Sequence, residues 1–320
     1  MSSRPRPPQT SDDPSASSDP FEETDEIAVK GGSLHVARAG VRPEDAGSVV
    51  LAVHGVTASL MTWRTVARAV PPLGDVCLLA PDLRGRGRSA TLPGPYGIGA
   101  HVDDLIDVLD HVGAQRAVLV GHSLGAYVGA RMAAEHPERV AALVLLDAGL
   151  PLPAPEEPEE MLQSAVASAI MRLQITFPSA EDYISGWRAH PAFADAWNDD
   201  VEAYARYDLV EDDHRTRCGA SAPAVRADSA EMVLDQTTRL ALERVPAGTP
   251  VQLLRAQRGL FDDEDNPLIP ADLLRGFAAE HPEVRIENVP NVNHYTLVMG
   301  DSPGPARVAA AIELACRPAR

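Results

Sequence analysis

The chain reads as an α/β protein: a mostly parallel, doubly wound sheet interrupted by one helical insert. Three observations predict this. Short, fully apolar runs such as Ser48–Val53 (S-V-V-L-A-V) recur along the chain. A strand apolar on both faces is one buried on both faces, as in parallel sheets. Helical patterns separate these runs, and that alternation marks helices covering the two faces of one sheet. The alternation stops between about 150 and 247 and then resumes.

Residues 1–25 are rich in Ser, Pro, Asp and Glu and carry little that could form a core. They are read as a disordered tail, because the surface they could bury does not offset the entropy of ordering them. The core is expected over 26–149 and 248–320. Its strands are Ser33–Ala39, Ser48–Val53, Val76–Ala80, Ala117–Val120 and Ala141–Leu146, then Val251–Leu254 and Val284–Val289. Helices are expected at His101–Val112, Leu124–Glu135 and Arg307–Ala315. The insert, 150–247, opens on the proline-rich, acidic stretch P-L-P-A-P-E-E-P-E-E. Four helical segments follow, Met161–Ile175, Ala180–Arg188, Asn198–Leu209 and Ala227–Leu242, with no convincing strand among them. It holds seven of the chain's fourteen aromatic residues, Trp187 and Trp197 among them, enough for a small core of its own and for part of a substrate pocket.

Acidic residues outnumber basic ones 46 to 28, a formal charge of −18. That balance argues against nucleic acid or an anionic membrane as partner. It also disfavours polyanionic substrates unless a local basic pocket overrides it. Three widely spaced cysteines, Cys77, Cys218 and Cys316, form no C-x-x-C pair, which argues against a disulfide framework and a zinc site. No cofactor or metal is called for. With no long apolar span and no apolar N-terminal leader, the expectation is a cytoplasmic protein.

The chemistry centres on Val118–Gly129, V-L-V-G-H-S-L-G-A-Y-V-G. An apolar strand runs into Gly121-His122-Ser123-Leu124-Gly125, and a helical pattern begins at once. A strand reversing sharply into a helix brings backbones together, so flanking side chains would clash. The turn holds the Ser123 hydroxyl exposed beside the free N–H groups of a helix N-terminus. A serine needs a base, and the base an orienting acid. Of ten histidines, His294 stands out, in the loop after the last expected strand and so at the carboxyl edge of the sheet beside Ser123. Two places suit the acid. One is the loop after Val251–Leu254, which holds Asp262, Asp263, Glu264 and Asp265. The other is Asp147, directly after the strand ending at Leu146.

These residues make the chain resemble the serine members of the α/β-hydrolase superfamily over about 30–149 and 248–318. His54-Gly55-Val56, with Trp63 downstream, resembles the oxyanion loop. Asp82-Leu83-Arg84-Gly85-Arg86-Gly87-Arg88-Ser89 matches the D-x-R-G-x-G-x-S loop. Gly121–Gly125 matches the nucleophile elbow, Gly259-Leu260-Phe261-Asp262 the G-x-x-D acid loop, and Asn293-His294 the histidine loop. The resemblance implies the α/β-hydrolase fold with a helical cap, or lid, inserted after the sixth strand. It implies acyl transfer by Ser123 and His294, with Asp262 as the acid and Asp147 as the alternative. The oxyanion donors would be the N–H groups of Val56 and Leu124, and the substrate a partly hydrophobic ester. Haloalkane dehalogenases and epoxide hydrolases of this fold carry aspartate in place of the serine. Carbon–carbon bond hydrolases, haloperoxidase-like enzymes and acyltransferases share the serine set and stay open. A ligand-binding protein on a hydrolase scaffold would usually lack one of the three.

Overall fold

The computed structural model describes residues 19–152, 156–212 and 215–317. Residues 1–18 of the expected tail and 153–155 of the proline-rich stretch lie outside the described residues. The core is an eight-stranded sheet. Its strands are β1 (Glu23–Val29), β2 (Gly32–Gly40), β3 (Ser48–Val53), β4 (Val76–Pro81), β5 (Ala117–His122) and β6 (Val140–Leu146). After the insert, which contains β7 (Thr176–Phe177), β8 (Leu209–Asp212) and β9 (Arg215–Cys218), come β10 (Val251–Ala256) and β11 (Arg285–Val289). The order across the sheet is β1-β2-β4-β3-β5-β6-β10-β11. β1 and β2 run antiparallel to their neighbours, and the other pairings are parallel. The insert leaves the sheet after the sixth strand.

Strand alternation divides the core into two layers. Leu51, Leu79, Leu119, Leu143 and Leu253 face one side and pack with the helices Ile98–His111 and Leu124–Glu135. Val50, Leu78, Val120, Val144 and Leu254 face the other, with Trp63 and the helix Gly304–Cys316. Side chains buried on both faces require this continuous apolarity of the strands.

Two expectations change. The tail boundary at 25 is too late, because Glu23–Asp25 already belong to β1. That strand lies at the sheet edge, and only Ile27 in it is buried, so its acidic composition resembled a tail. An edge strand dressed in charge is also protected from pairing with another chain. The insert is not purely helical: β7, β9 and β8 form a small antiparallel sheet. These strands are two to four residues long with sequences such as R-T-R-C, which carry no apolar alternation. The helix expected through Leu209 ends at Tyr207, and Leu209 opens β8.

Candidate active site

β5 delivers the chain to Ser123, whose backbone sits at φ 56°, ψ −120°. L-residues rarely adopt this conformation, and it persists only where surrounding structure enforces it. Here the enforcement is close packing. A Cβ on Gly121 would lie 2.2 Å from the Gly125 carbonyl oxygen, and one on Gly125 would lie 2.0 Å from that of Val53. Both positions therefore exclude any side chain. The Ser123 N–H donates to the Leu146 carbonyl at 3.1 Å, tying the turn to the end of β6.

β5 and β6 pair with His122 opposite Leu146, so Ser123 and Asp147 leave the sheet side by side. Asp147 is buried, also at positive φ (52°). Its N–H donates to the Leu254 carbonyl at 2.8 Å, and its Oδ1 accepts from the Ala256 N–H at 3.1 Å. Oδ2 remains, and it accepts from His294 Nδ1 at 2.8 Å. The His294 ring is buried as well. A carboxylate can only accept, so Nδ1 carries a proton, and in the neutral imidazole Nε2 is then the nitrogen with the lone pair.

Of the two candidate acids, the one at the ring is Asp147, the alternative, and not Asp262. The structure does not bring Asp262 to the His294 ring. Its Oδ2 pairs with Arg258 at 2.9 Å, and its Oδ1 accepts from Asn293 Nδ2 at 3.0 Å. Asp262 thus reaches the histidine loop one residue short, while its own charge is taken by a cation four residues back. Asn293 is buried and fixes the loop further, its Oδ1 accepting from the N–H groups of Tyr295 and Thr296 at 3.0 and 2.9 Å. Asp263 and Asp265 lie in the same loop, and Asp263 accepts from the Asn266 N–H.

His122, between Gly121 and Ser123, also contributes to the site. Its Nε2 donates to the His294 carbonyl at 2.9 Å, and the two rings are 4.4 Å apart. Burial, and then the neighbouring His294, hold its pKa well below the ordinary imidazole value, so it stays neutral. It braces the His294 loop without placing a second positive charge beside it.

The Gly55–Thr57 loop runs against Ser123: a Cβ on Gly55 would lie 3.6 Å from the Ser123 hydroxyl oxygen. Three consecutive carbonyls of this loop are pinned. His54 Nδ1 donates to Gly55 O at 2.8 Å, and its Nε2 accepts from the Leu83 N–H at 3.0 Å. Burial pushes the His54 pKa down to about 3, so this tautomer is neutral. Arg86 donates to Val56 O through Nε and Nη2 at 2.9 and 2.8 Å. Arg172, from the insert, donates to Thr57 O at 2.8 Å. In a trans peptide the N–H points opposite the carbonyl. Fixing Gly55 O therefore aims the Val56 N–H. Neither that N–H nor the one of Leu124 has a protein acceptor among the described residues.

The insert packs onto this centre. Trp187, His190 and Phe193 surround the ring of Tyr295, the neighbour of His294, at 6.1, 5.6 and 5.6 Å. Asn293 Nδ2 also donates to Ala192 O at 2.9 Å. Asp228, on the insert helix Ala222–Leu234, is fully buried in an ion pair with Arg86 and accepts from His101 Nε2 at 3.0 Å. Among the described residues no group of three or more His, Cys, Asp or Glu is arranged to hold a metal ion, and no helix is long and apolar enough to cross a membrane.

The family model for the alpha/beta hydrolase fold matches residues 48–169. The chain is 41% identical over 119 residues to the lipase LipV of Mycobacterium tuberculosis, covering 37% of this chain and 43% of that protein. It is 29% identical over 237 residues to the putative carbamate hydrolase RutD of Caulobacter sp., covering 68% of this chain and 85% of that one. The chain thus spans under half the length of several curated relatives it matches. The thioesterase domain from the curacin biosynthetic pathway superposes with a TM-score of 0.71 at 21% identity, over 91% of this chain and 98% of that domain. An eight-stranded, mostly parallel sheet, a Gly-flanked serine turn between β5 and its helix, and these likenesses converge: the chain has the α/β-hydrolase fold.

Proposed function

We propose that the chain is a serine hydrolase that cleaves a carboxylic ester, or a related acyl bond, through an acyl-enzyme. The observation that carries the reading is the buried 2.8 Å contact between Asp147 and His294, beside a serine held at φ 56°. Asp147 fixes the tautomer of His294 and stabilises its charged form. The free Nε2 takes the Ser123 proton as Oγ attacks the carbonyl carbon. The developing oxyanion is met by the N–H groups of Val56 and Leu124, which have no competing acceptor among the described residues. Imidazolium returns the proton to the departing alcohol. Water, activated by the same Nε2, then releases the acid and restores Ser123. His122 stays uncharged throughout, so the transient imidazolium of His294 meets no like charge across 4.4 Å. The insert acts as a lid that shapes the substrate site.

A fluorophosphonate probe tests this. Wild-type protein should be labelled on one serine, and Ser123→Ala should abolish labelling while leaving the fold intact. Labelling that persists at another serine would overturn the assignment. Turnover of aryl esters, lactones, amides and thioesters then ranks the acyl bonds.

A further inference from the structure

Arg172 stands on the insert helix Pro158–Gln174 and reaches across to the core. Its guanidinium lies 5.0 Å over the Trp187 ring, and Nη2 donates to Thr57 O at 2.8 Å. Among the described residues no Asp or Glu forms an ion pair with it. Nε is buried with no hydrogen-bond partner. Among the described residues Nη1 has no acceptor either, yet it is not sealed from solvent. The acid whose field it feels is Asp208, but Asp208 Oδ2 accepts from the Tyr183 hydroxyl and the Cys218 thiol at 3.2 and 3.0 Å and makes no hydrogen bond to the guanidinium.

A partly buried cation without a paired anion is costly to hold, and its free donors stay available to any anion that enters. Arginine's planar fork suits the two oxygens of a carboxylate. The position matters as much as the charge. Thr57 adjoins Val56, the proposed oxyanion donor, and Tyr295, which packs on Trp187, adjoins His294. An anion held by Arg172 would sit a few bonds from a carbonyl held at Ser123.

We propose that Arg172 is an anion subsite, and that the substrate carries a carboxylate on its acyl or alcohol part a few bonds from the scissile carbonyl. This rests on the serine-hydrolase reading for the bond cleaved, but not for the anion bound. The formal charge of −18 does not oppose it, because the field of distant surface charges is screened beyond about 10 Å whereas the subsite acts on contact.

The test compares matched esters with the full chain. Monoethyl succinate is set against ethyl butyrate for an anion on the acyl side, and 3-acetoxybenzoate against 3-methylphenyl acetate for one on the alcohol side. Wild-type protein should show the higher kcat/KM for the anionic member of at least one pair. Arg172→Gln should lower kcat/KM for that member about tenfold to a hundredfold more than for its neutral partner, mostly through KM. Arg172→Lys keeps the charge without the fork and should retain part of the preference. Preference for the neutral member in both pairs, or equal losses on both members, would overturn the subsite and leave Arg172 as a brace for Thr57. If Ser123 takes no fluorophosphonate label, the hydrolase reading fails on its own. Succinate binding, measured by calorimetry, then decides the subsite: binding weakened by Arg172→Gln supports it, and equal binding to both proteins overturns it.

Discussion

At the scale of residues, the two candidate acids differ in what surrounds each carboxylate. Asp147 has its Oδ1 occupied by a backbone N–H and its Oδ2 free for His294, in a site closed to solvent. Asp262 is one-third exposed and spends its charge on Arg258. In the proposed mechanism Asp147→Asn preserves shape but reverses the hydrogen bond to Nδ1, favouring the wrong tautomer. Turnover of an aryl ester should fall on the order of 10³- to 10⁴-fold. Asp262→Ala removes one support from Asn293 and should cost about tenfold or less, in line with losing a single partly exposed hydrogen bond worth about 0.5–1.5 kcal/mol. Steady-state kinetics of the two variants separate them. The reverse ranking would restore the G-x-x-D loop as the source of the acid.

At the scale of elements, what could be read from the sequence follows burial. β3, β5 and the helix Leu124–Glu135 were legible because apolarity on both faces, or a glycine-flanked turn into a helix, leaves little else for the chain to form. β1 and the insert's three strands were not, since edge and cap strands are stabilised by few buried side chains. The motif spacing pointed to Asp262 rather than to the carboxylate found at His294, because spacing says nothing of which cation competes for a carboxylate, although Arg258 four residues before Asp262 was a visible sign. Asp228 was invisible altogether: its meaning depends on an insert helix docking over a core arginine. That contact makes the insert part of the site. Asp228 neutralises Arg86, and Arg86 holds Val56 O. Asp228→Asn strands a buried guanidinium and should destabilise the fold by about 3–5 kcal/mol. In the surviving folded protein kcat should also fall, by less than the 10²- to 10³-fold expected for losing an oxyanion donor outright, with KM nearly unchanged. Urea unfolding and steady-state kinetics on the same variant read both effects. A variant less stable but with unaltered kcat would confine Asp228 to docking the insert.

At the scale of the whole molecule, burying two imidazoles at the site couples folding to pH. His54 and His122 are held neutral, His54 down to about 3 and His122 well below the ordinary value, in both cases chiefly by burial. The unfolded chain protonates both near pH 6.5 and the folded chain neither, so the stability present above pH 6.5 is lost as pH falls below it. Asp208 acts in the opposite sense. Burial pushes its pKa up to about 6, so between pH 6 and 4 the folded chain holds a proton that the unfolded chain releases. Among these three groups two protons favour unfolding and one opposes it, a joint contribution of about 1.4 kcal/mol per pH unit around pH 5. Asp228, held down to about 2 against its burial by His101 and Arg86, adds a further loss below pH 4. Urea unfolding at pH 7.5, 6 and 5 should show stability level at first and then declining. Asp208→Asn removes the opposing proton, so its decline should be steeper than the wild type's by about 1.4 kcal/mol per unit. A flat wild-type profile would mean that His54 and His122 take up protons within the fold, and with His122 charged beside His294 the proposed base would lose its neutral neighbour.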